Sequence, residues 1–435
     1  MSQLVVSGGT VVDPASGLNG KQHVLIQDGR IFGVVSDIPA DWKSVETVSA
    51  EGKWVMPGFI CLRSHVGEPG NEWKETIATA SMAAAAGGFT TICATPDSTP
   101  VNDISAVCEQ VLSKSAAASG ARILPIGATS VGLQGKDLTE MANLKAAGCV
   151  AVSTGENSAR DAGFLRRILE YAGSVGINVF TVAENSSLST NTFMHEGQAS
   201  IRLGMNAVPA EAEAINLYRD AMIAKLTGVP IHVQKVSTAA SVNLLRSLIA
   251  DGVPISASVT AHHLWFNDSE VGSFNTNTLV RPPLRDISDV EAIRNALNEG
   301  IITAVVTDHQ PQSSIEKAVE YQFAEPGTTA LESTLGVVME LVQESALSLD
   351  KAVASLTSGP AEVLGRTDIG RLAEGCIADL VVVDPNSPYR VESTRMQTKS
   401  QNCIFEGTSF SASVSDTIVD GALVKGIEEG LRVSI

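Results

Sequence analysis

Apolar runs of strand length recur through the middle of the chain, at 58–62, 89–94, 123–127, 149–153, 178–182, 230–236, 254–259 and 302–307. Between most of them lie helix-like stretches, at 104–118, 159–175, 211–226 and 239–250. Eight buried strands alternating with helices imply parallel βα units, and eight is the number that closes a (β/α)8 TIM barrel. In such barrels the working side chains stand at the C-terminal ends of the strands.

The chain ends follow a different rhythm. In residues 1–55 short runs (Leu4-Val5-Val6, Val11-Val12, His23-Val24-Leu25-Ile26) are punctuated by Gly8-Gly9, Asp13-Pro14 and Asp28-Gly29. This is the pattern of small antiparallel β structure, with an opening strand over 2–12. It returns at 375–384 (GCIADLVVVD), Cys403-Ile404-Phe405 and Thr417-Ile418-Val419-Asp420-Gly421. A β unit split between the two ends implies a satellite β-sandwich made from 1–55 and 366–435, with the barrel, 56–365, inserted.

Composition narrows the class. A chain of 435 residues with 44% hydrophobic and 18% charged residues has room for one large barrel and a small satellite. No apolar run reaches the roughly 18 residues of a membrane span, and the start lacks a targeting pattern, so a cytoplasmic location is expected. A net charge of -18 argues against nucleic acid and anionic membranes as partners. The six cysteines form no C-x-x-C pair and lie mostly in apolar runs, which predicts buried free thiols.

The expected strand ends carry candidate chemistry. Met56-Pro57-Gly58-Phe59-Ile60-Cys61-Leu62-Arg63-Ser64-His65-Val66-Gly67-Glu68-Pro69-Gly70 leaves the first strand. Val150-Ala151-Val152-Ser153-Thr154-Gly155 leaves the fourth, Thr181-Val182-Ala183-Glu184-Asn185 the fifth, and His232-Val233-Gln234-Lys235-Val236-Ser237-Thr238 the sixth. Thr307-Asp308-His309-Gln310-Pro311-Gln312 leaves the eighth. Together these resemble the amidohydrolase superfamily and, within it, the dihydroorotases. Gly87-Gly88-Phe89-Thr90-Thr91, Pro100-Val101-Asn102-Asp103 and Pro282-Pro283-Leu284-Arg285 extend the likeness over nearly the whole chain.

The resemblance implies an amidohydrolase-type barrel whose metal site has been dismantled. In the family's D-x-H-x-H motif Cys61 stands for the aspartate and Arg63 for the first histidine, while His65 keeps the second. Thr154 replaces an aspartate ligand of one subclass, Val182 a histidine and Lys235 another histidine. Asp308 keeps the position of the general base and metal ligand, and His309 that of its neighbour. The substrate contacts change too: Gly67 replaces an arginine, Asp97 and Arg281 replace asparagines, and Gln312 replaces a histidine. Arg63, Asp97, Lys235, Arg281 and His309 are the residues expected to line the pocket, with Asp308 as a vestigial base.

A catalytic zinc takes three protein ligands or more, and only His65 and Asp308 remain, so no metal is expected. Arg63 would instead set a permanent cation where zinc sits. Asp308 is expected to pair with Arg63 or Lys235, and His65 and His232 to be hydrogen-bonded interior histidines. His262-His263 is expected to be structural. The resemblance therefore implies a noncatalytic dihydroorotase-like protein of pyrimidine biosynthesis, forming a homo-oligomer or a complex with aspartate carbamoyltransferase. The competing readings are an active cyclic amidohydrolase with an altered or single zinc, and a small-molecule sensor using the same pocket.

Overall fold

Gln3–Asp13 (β1), Leu18–Gln27 (β2) and Arg30–Val35 (β3) form an antiparallel meander in a computed structural model that describes residues 2–426. Thr47–Ser49 (β4) and Trp54–Pro57 (β5) run parallel to β1. One residue later the chain enters the barrel. Its strands are Phe59–Ser64 (β6), Phe89–Ala94 (β7), Arg122–Ala128 (β8), Ala151–Ser153 (β9), Asn178–Val182 (β10), Ile231–Gln234 (β11), Ile255–Thr260 (β12) and Ala304–Val306 (β13). They are hydrogen-bonded in chain order as one parallel sheet. A parallel bridge between Ser64 and His309 joins the last strand end to the first, where the His65 N–H donates to the His309 carbonyl at 2.8 Å. Every residue of β6 and β7 is buried, as strands covered on both faces require.

The helices between strands begin and end on local chemistry. Thr76 and Thr79 cap each other's backbone ahead of the helix Ile77–Ala86. Asp161 caps Ala162–Val175 and Thr238 caps Ala239–Ala250, each accepting from a first-turn N–H. Glycines with positive φ, Gly176 and Gly228, stop Ala162–Val175 and Glu211–Thr227. These helices form the outer layer expected from the sequence.

After the barrel, Leu380–Asp384 (β14) pairs antiparallel with β5, Ser413–Val419 (β15) antiparallel with β14, and Ala422–Leu423 (β16) antiparallel with β15. Both chain ends therefore share one eight-stranded sheet, with Leu4, Val6 and Val24 packed in the same core as Leu380, Val382 and Ile418. Arg122 ties this unit to the barrel, reaching Asp379 at 3.0 Å and Asp420 at 2.6 Å. The last part of the expected 366–435 segment, beyond residue 426, lies outside the described residues.

Two C-terminal expectations need correction. Cys403-Ile404-Phe405 is not a strand but a buried turn. Its apolar pattern comes from aromatic packing, with the Phe405 ring 5.2 Å from that of Phe266. The run at 417–421 breaks at Asp420 and Gly421, whose φ angles of 50° and 77° make the hairpin turn into β16. Among the described residues no helix is long and apolar enough to cross a membrane.

Candidate functional site

Four charged side chains meet beneath the C-terminal mouth of the barrel. Arg63, from the end of β6, is fully buried and uses its whole fork. Its Nε donates to Asp308 Oδ1 at 2.7 Å, Nη1 to Gln234 Oε1 at 2.7 Å, and Nη2 to Glu156 Oε1. Lys235 follows β11 and Asp308 follows β13 closely, and both adopt positive φ, 61° and 44°. For residues other than glycine this conformation costs on the order of 1–3 kcal/mol and gathers at functional or clamped positions. Lys235 Nζ lies 2.7 Å from Glu156 Oε2 and 3.6 Å from Asp308 Oδ2.

Glu156 holds the cluster together. It stands just past β9, after Gly155, whose φ of 74° swings the chain back toward the barrel axis. Besides Arg63 and Lys235 it accepts from Gln310 Nε2 at 3.0 Å and lies 2.8 Å from His65 Nε2. Burial alone would raise the Glu156 carboxyl, but Arg63, Lys235 and His65 hold it well below the usual carboxylate range. Burial likewise works against the Arg63 charge, and Glu156 and Asp308 overcome it, raising the guanidinium pKa. Two buried cations thus face two carboxylates, and each sustains the other's ionised form.

His65, Glu156 and Asp308 each offer a ligand atom, and these atoms lie within 4.8 Å of one another. Three such ligands are the number a catalytic zinc uses. Their surroundings do not fit one. The lone pairs that would coordinate the ion already accept from Arg63 and Lys235, and a divalent cation there would meet a guanidinium and an ammonium head-on.

Above the cluster lies a cavity of about 240 Å³, walled by His65, Gly67, Asp97, Glu156, Gln310 and Gln312 among others. Of the residues expected in the pocket, Asp97 is on its wall. Its Oδ1 accepts from the Glu156 N–H at 3.3 Å while Oδ2 is buried without a partner. Burial first, and Glu156 second, raise its pKa. Arg63, Lys235 and Asp308 lie under the floor. Arg281 is exposed and lines a neighbouring cavity with Arg160, Glu184 and Arg219. His309 faces away, fully buried, with Nε2 3.2 Å from Glu75 Oε2 and Nδ1 accepting from the Ala330 N–H at 3.3 Å.

Thr154 and Val182, which the resemblance sets at ligand positions, are buried, and neither side chain carries a carboxylate, imidazole or thiolate for a zinc shell. His232 is an interior histidine held between Ser256 Oγ at 2.9 Å and Ser258 Oγ at 3.0 Å, and burial lowers its pKa to about 3. His263 is bonded to Thr260 Oγ1 and the Pro283 carbonyl, whereas neither ring nitrogen of His262 has a partner. All six cysteines are buried and free. Gly67 has φ 68°, and a Cβ there would lie 2.3 Å from the Glu75 carbonyl oxygen, so no side chain fits without a shift of the loop.

Sequence reasoning missed Glu156, Gln234 and Gln310. Glu156 falls just beyond the stretch that matched the family motif, and Gly155 before it was the one available sign that the chain turns back.

The comparisons with known proteins agree with this architecture. The profile of the Amidohydrolase family matches residues 54–424. A protein named Dihydroorotase from Anaeromyxobacter dehalogenans is 41% identical over 425 residues, covering 97% of both chains. Another Dihydroorotase, from Pelotomaculum thermopropionicum, is 40% identical over 97% of this chain and 98% of its own. Among solved structures, the L-hydantoinase (dihydropyrimidinase) from Arthrobacter aurescens superimposes with a TM-score of 0.87 at 21% identity, covering 100% of this chain and 98% of that one. That likeness concerns the fold: the barrel and its satellite sheet. The chain is a dihydroorotase-like member of the amidohydrolase family.

Proposed function

We propose that the protein is a catalytically inactive dihydroorotase-like component of pyrimidine biosynthesis, located in the cytoplasm, that serves as a structural partner of aspartate carbamoyltransferase. The observation carrying this reading is the Arg63–Glu156–Asp308–Lys235 network. Ring-amide hydrolysis of the dihydroorotase type needs water activated by a Lewis acid. Here the carboxylates that would hold the metal are neutralised by two protein cations, one from β6 and one following β11. The substrate side is changed as well: Gly67 carries no arginine, and Asp97 adds a carboxyl to the wall facing an anionic substrate. The pathway is supported by the relatives named Dihydroorotase; the partner rests on the resemblance to noncatalytic homologues.

One observation favours a second reading, an active amidohydrolase with a single metal: the convergence of His65, Glu156 and Asp308. It requires Arg63 and Lys235 to leave positions in which both are almost wholly buried. Metal analysis of the purified protein together with a dihydroorotate hydrolysis assay separates the two. The expected result is zinc far below one per chain and no turnover, with aspartate carbamoyltransferase co-purifying at micromolar protein. Stoichiometric zinc accompanied by turnover overturns inactivity, and failure of the two proteins to associate overturns the structural role.

A further inference from the structure

The helix Glu211–Thr227 has two apolar faces, and the barrel uses only one. Ala212, Leu217, Ala221 and Ala224 are buried inward, between the neighbouring helices Ala162–Val175 and Ala239–Ala250. On the opposite side Ile215, Tyr218, Met222 and Leu226 stand 50%, 49%, 40% and 64% exposed. They follow one another at intervals of three and four residues, the spacing of a seam that packs against another helix. A surface helix ordinarily turns charged and polar residues to water on this side. Single exposed apolar residues call for no explanation, but four aligned along one stripe mark a contact surface.

The charges on the same face indicate what covers it. Glu211 is exposed at the start of the helix and Lys225 is exposed near its end, and neither forms a salt bridge within the chain among the described residues. They stand at equal separations on either side of Tyr218. Ile215 and Met222 flank Tyr218 almost symmetrically as well. An antiparallel copy of this helix, related by a two-fold axis beside Tyr218, would therefore set Glu211 against Lys225 of the partner subunit. It would also set Ile215 against the partner's Met222, and the two Tyr218 rings against each other. Each acidic N-terminal end would meet the basic C-terminal end opposite, the favourable sense for both helix dipoles. The stripe is thus complementary to itself, the condition for an isologous interface.

We propose that the outer face of helix Glu211–Thr227 is the contact between two copies of this chain, joined about a two-fold axis at Tyr218. The proposal goes beyond the reading of the barrel mouth and does not depend on it, because the helix belongs to the outer ring.

Sedimentation equilibrium of the full chain at micromolar concentration tests it. The wild type is expected to dimerise, and Met222→Asp to weaken the dimer by about ten-fold or more, as loss of a central apolar anchor does. Glu211→Lys should weaken it too, and the double variant Glu211→Lys, Lys225→Glu should restore it. Since all the native cysteines are buried, Tyr218→Cys should give a covalent dimer on a non-reducing gel after mild oxidation. These positions are solvent-exposed, so an unchanged circular dichroism melt certifies the fold of each variant. A wild type that stays monomeric overturns the proposal. So does a dimer that survives Met222→Asp while Tyr218→Cys fails to cross-link.

Discussion

Arg63, Glu156, Asp308 and Lys235 are bound so that removing any one takes a counter-ion from two other charges. Arg63→Ala would strip Asp308 of its closest cation and Glu156 of one of two. Breaking a buried pair in this way costs about 3–5 kcal/mol, and urea denaturation should read that loss. A variant within 1 kcal/mol of wild type would show that the network contributes little. The same residues set an acid limit. The Glu156 pKa is depressed in the folded state, so its contribution is fully present above the unfolded value of about 4.3 and is lost as pH falls from there toward the folded value. Wild type should therefore lose stability below that pH more steeply than Glu156→Gln. Asp97, with a pKa raised by burial and by Glu156, contributes in the opposite sense, and the part due to burial is common to both proteins. Parallel acid limbs would contradict the assignment. Arg63, Lys235 and Asp308 were legible as residues expected to meet. Glu156 was not, because its role depends on a backbone reversal at Gly155 that motif spacing does not encode.

The elements that carry these residues are read more easily than their ends. Continuous apolar runs became the barrel strands because burial on both faces leaves no polar side to alternate. The expected helix at 239–250 coincides with Ala239–Ala250, where Thr238 supplies a cap. Cys403-Ile404-Phe405 misled, since three buried apolar residues look alike whether they pair as a strand or pack as a turn. The loop after β6 is set by Gly67, at φ 68° and against the Glu75 backbone. Gly67→Ala should destabilise the protein by more than the ~1 kcal/mol of an ordinary glycine replacement, measured as a lower Tm. An unchanged Tm would mean the loop yields freely.

At the scale of the molecule, the sequence showed that both ends would meet, and the shared sheet and the Arg122 clasp are how they do. The sequence reading of 211–226 as a barrel helix was correct but incomplete. A stripe of Ile215, Tyr218, Met222 and Leu226 looks like core in a sequence, and only its exposure separates a face turned to the barrel from one turned to a neighbour. If that face pairs two chains, it leaves the barrel mouths, on the strand ends, available to a different partner.

On the proposed reading, in which the metal site has been lost, the ion cluster also has a historical side. A return to a metal centre would need histidines at 63, 182 and 235 and a rebuilt loop at 67. Replacing Arg63 alone leaves Asp308 only the more distant Lys235, and replacing Lys235 alone leaves Glu156 dependent on a single buried cation. Each first step lowers stability before any ligand set is complete, and proteins hold only about 5–15 kcal/mol in reserve. The network therefore acts as a ratchet: mutation can drift around it easily, but not one residue at a time back through it.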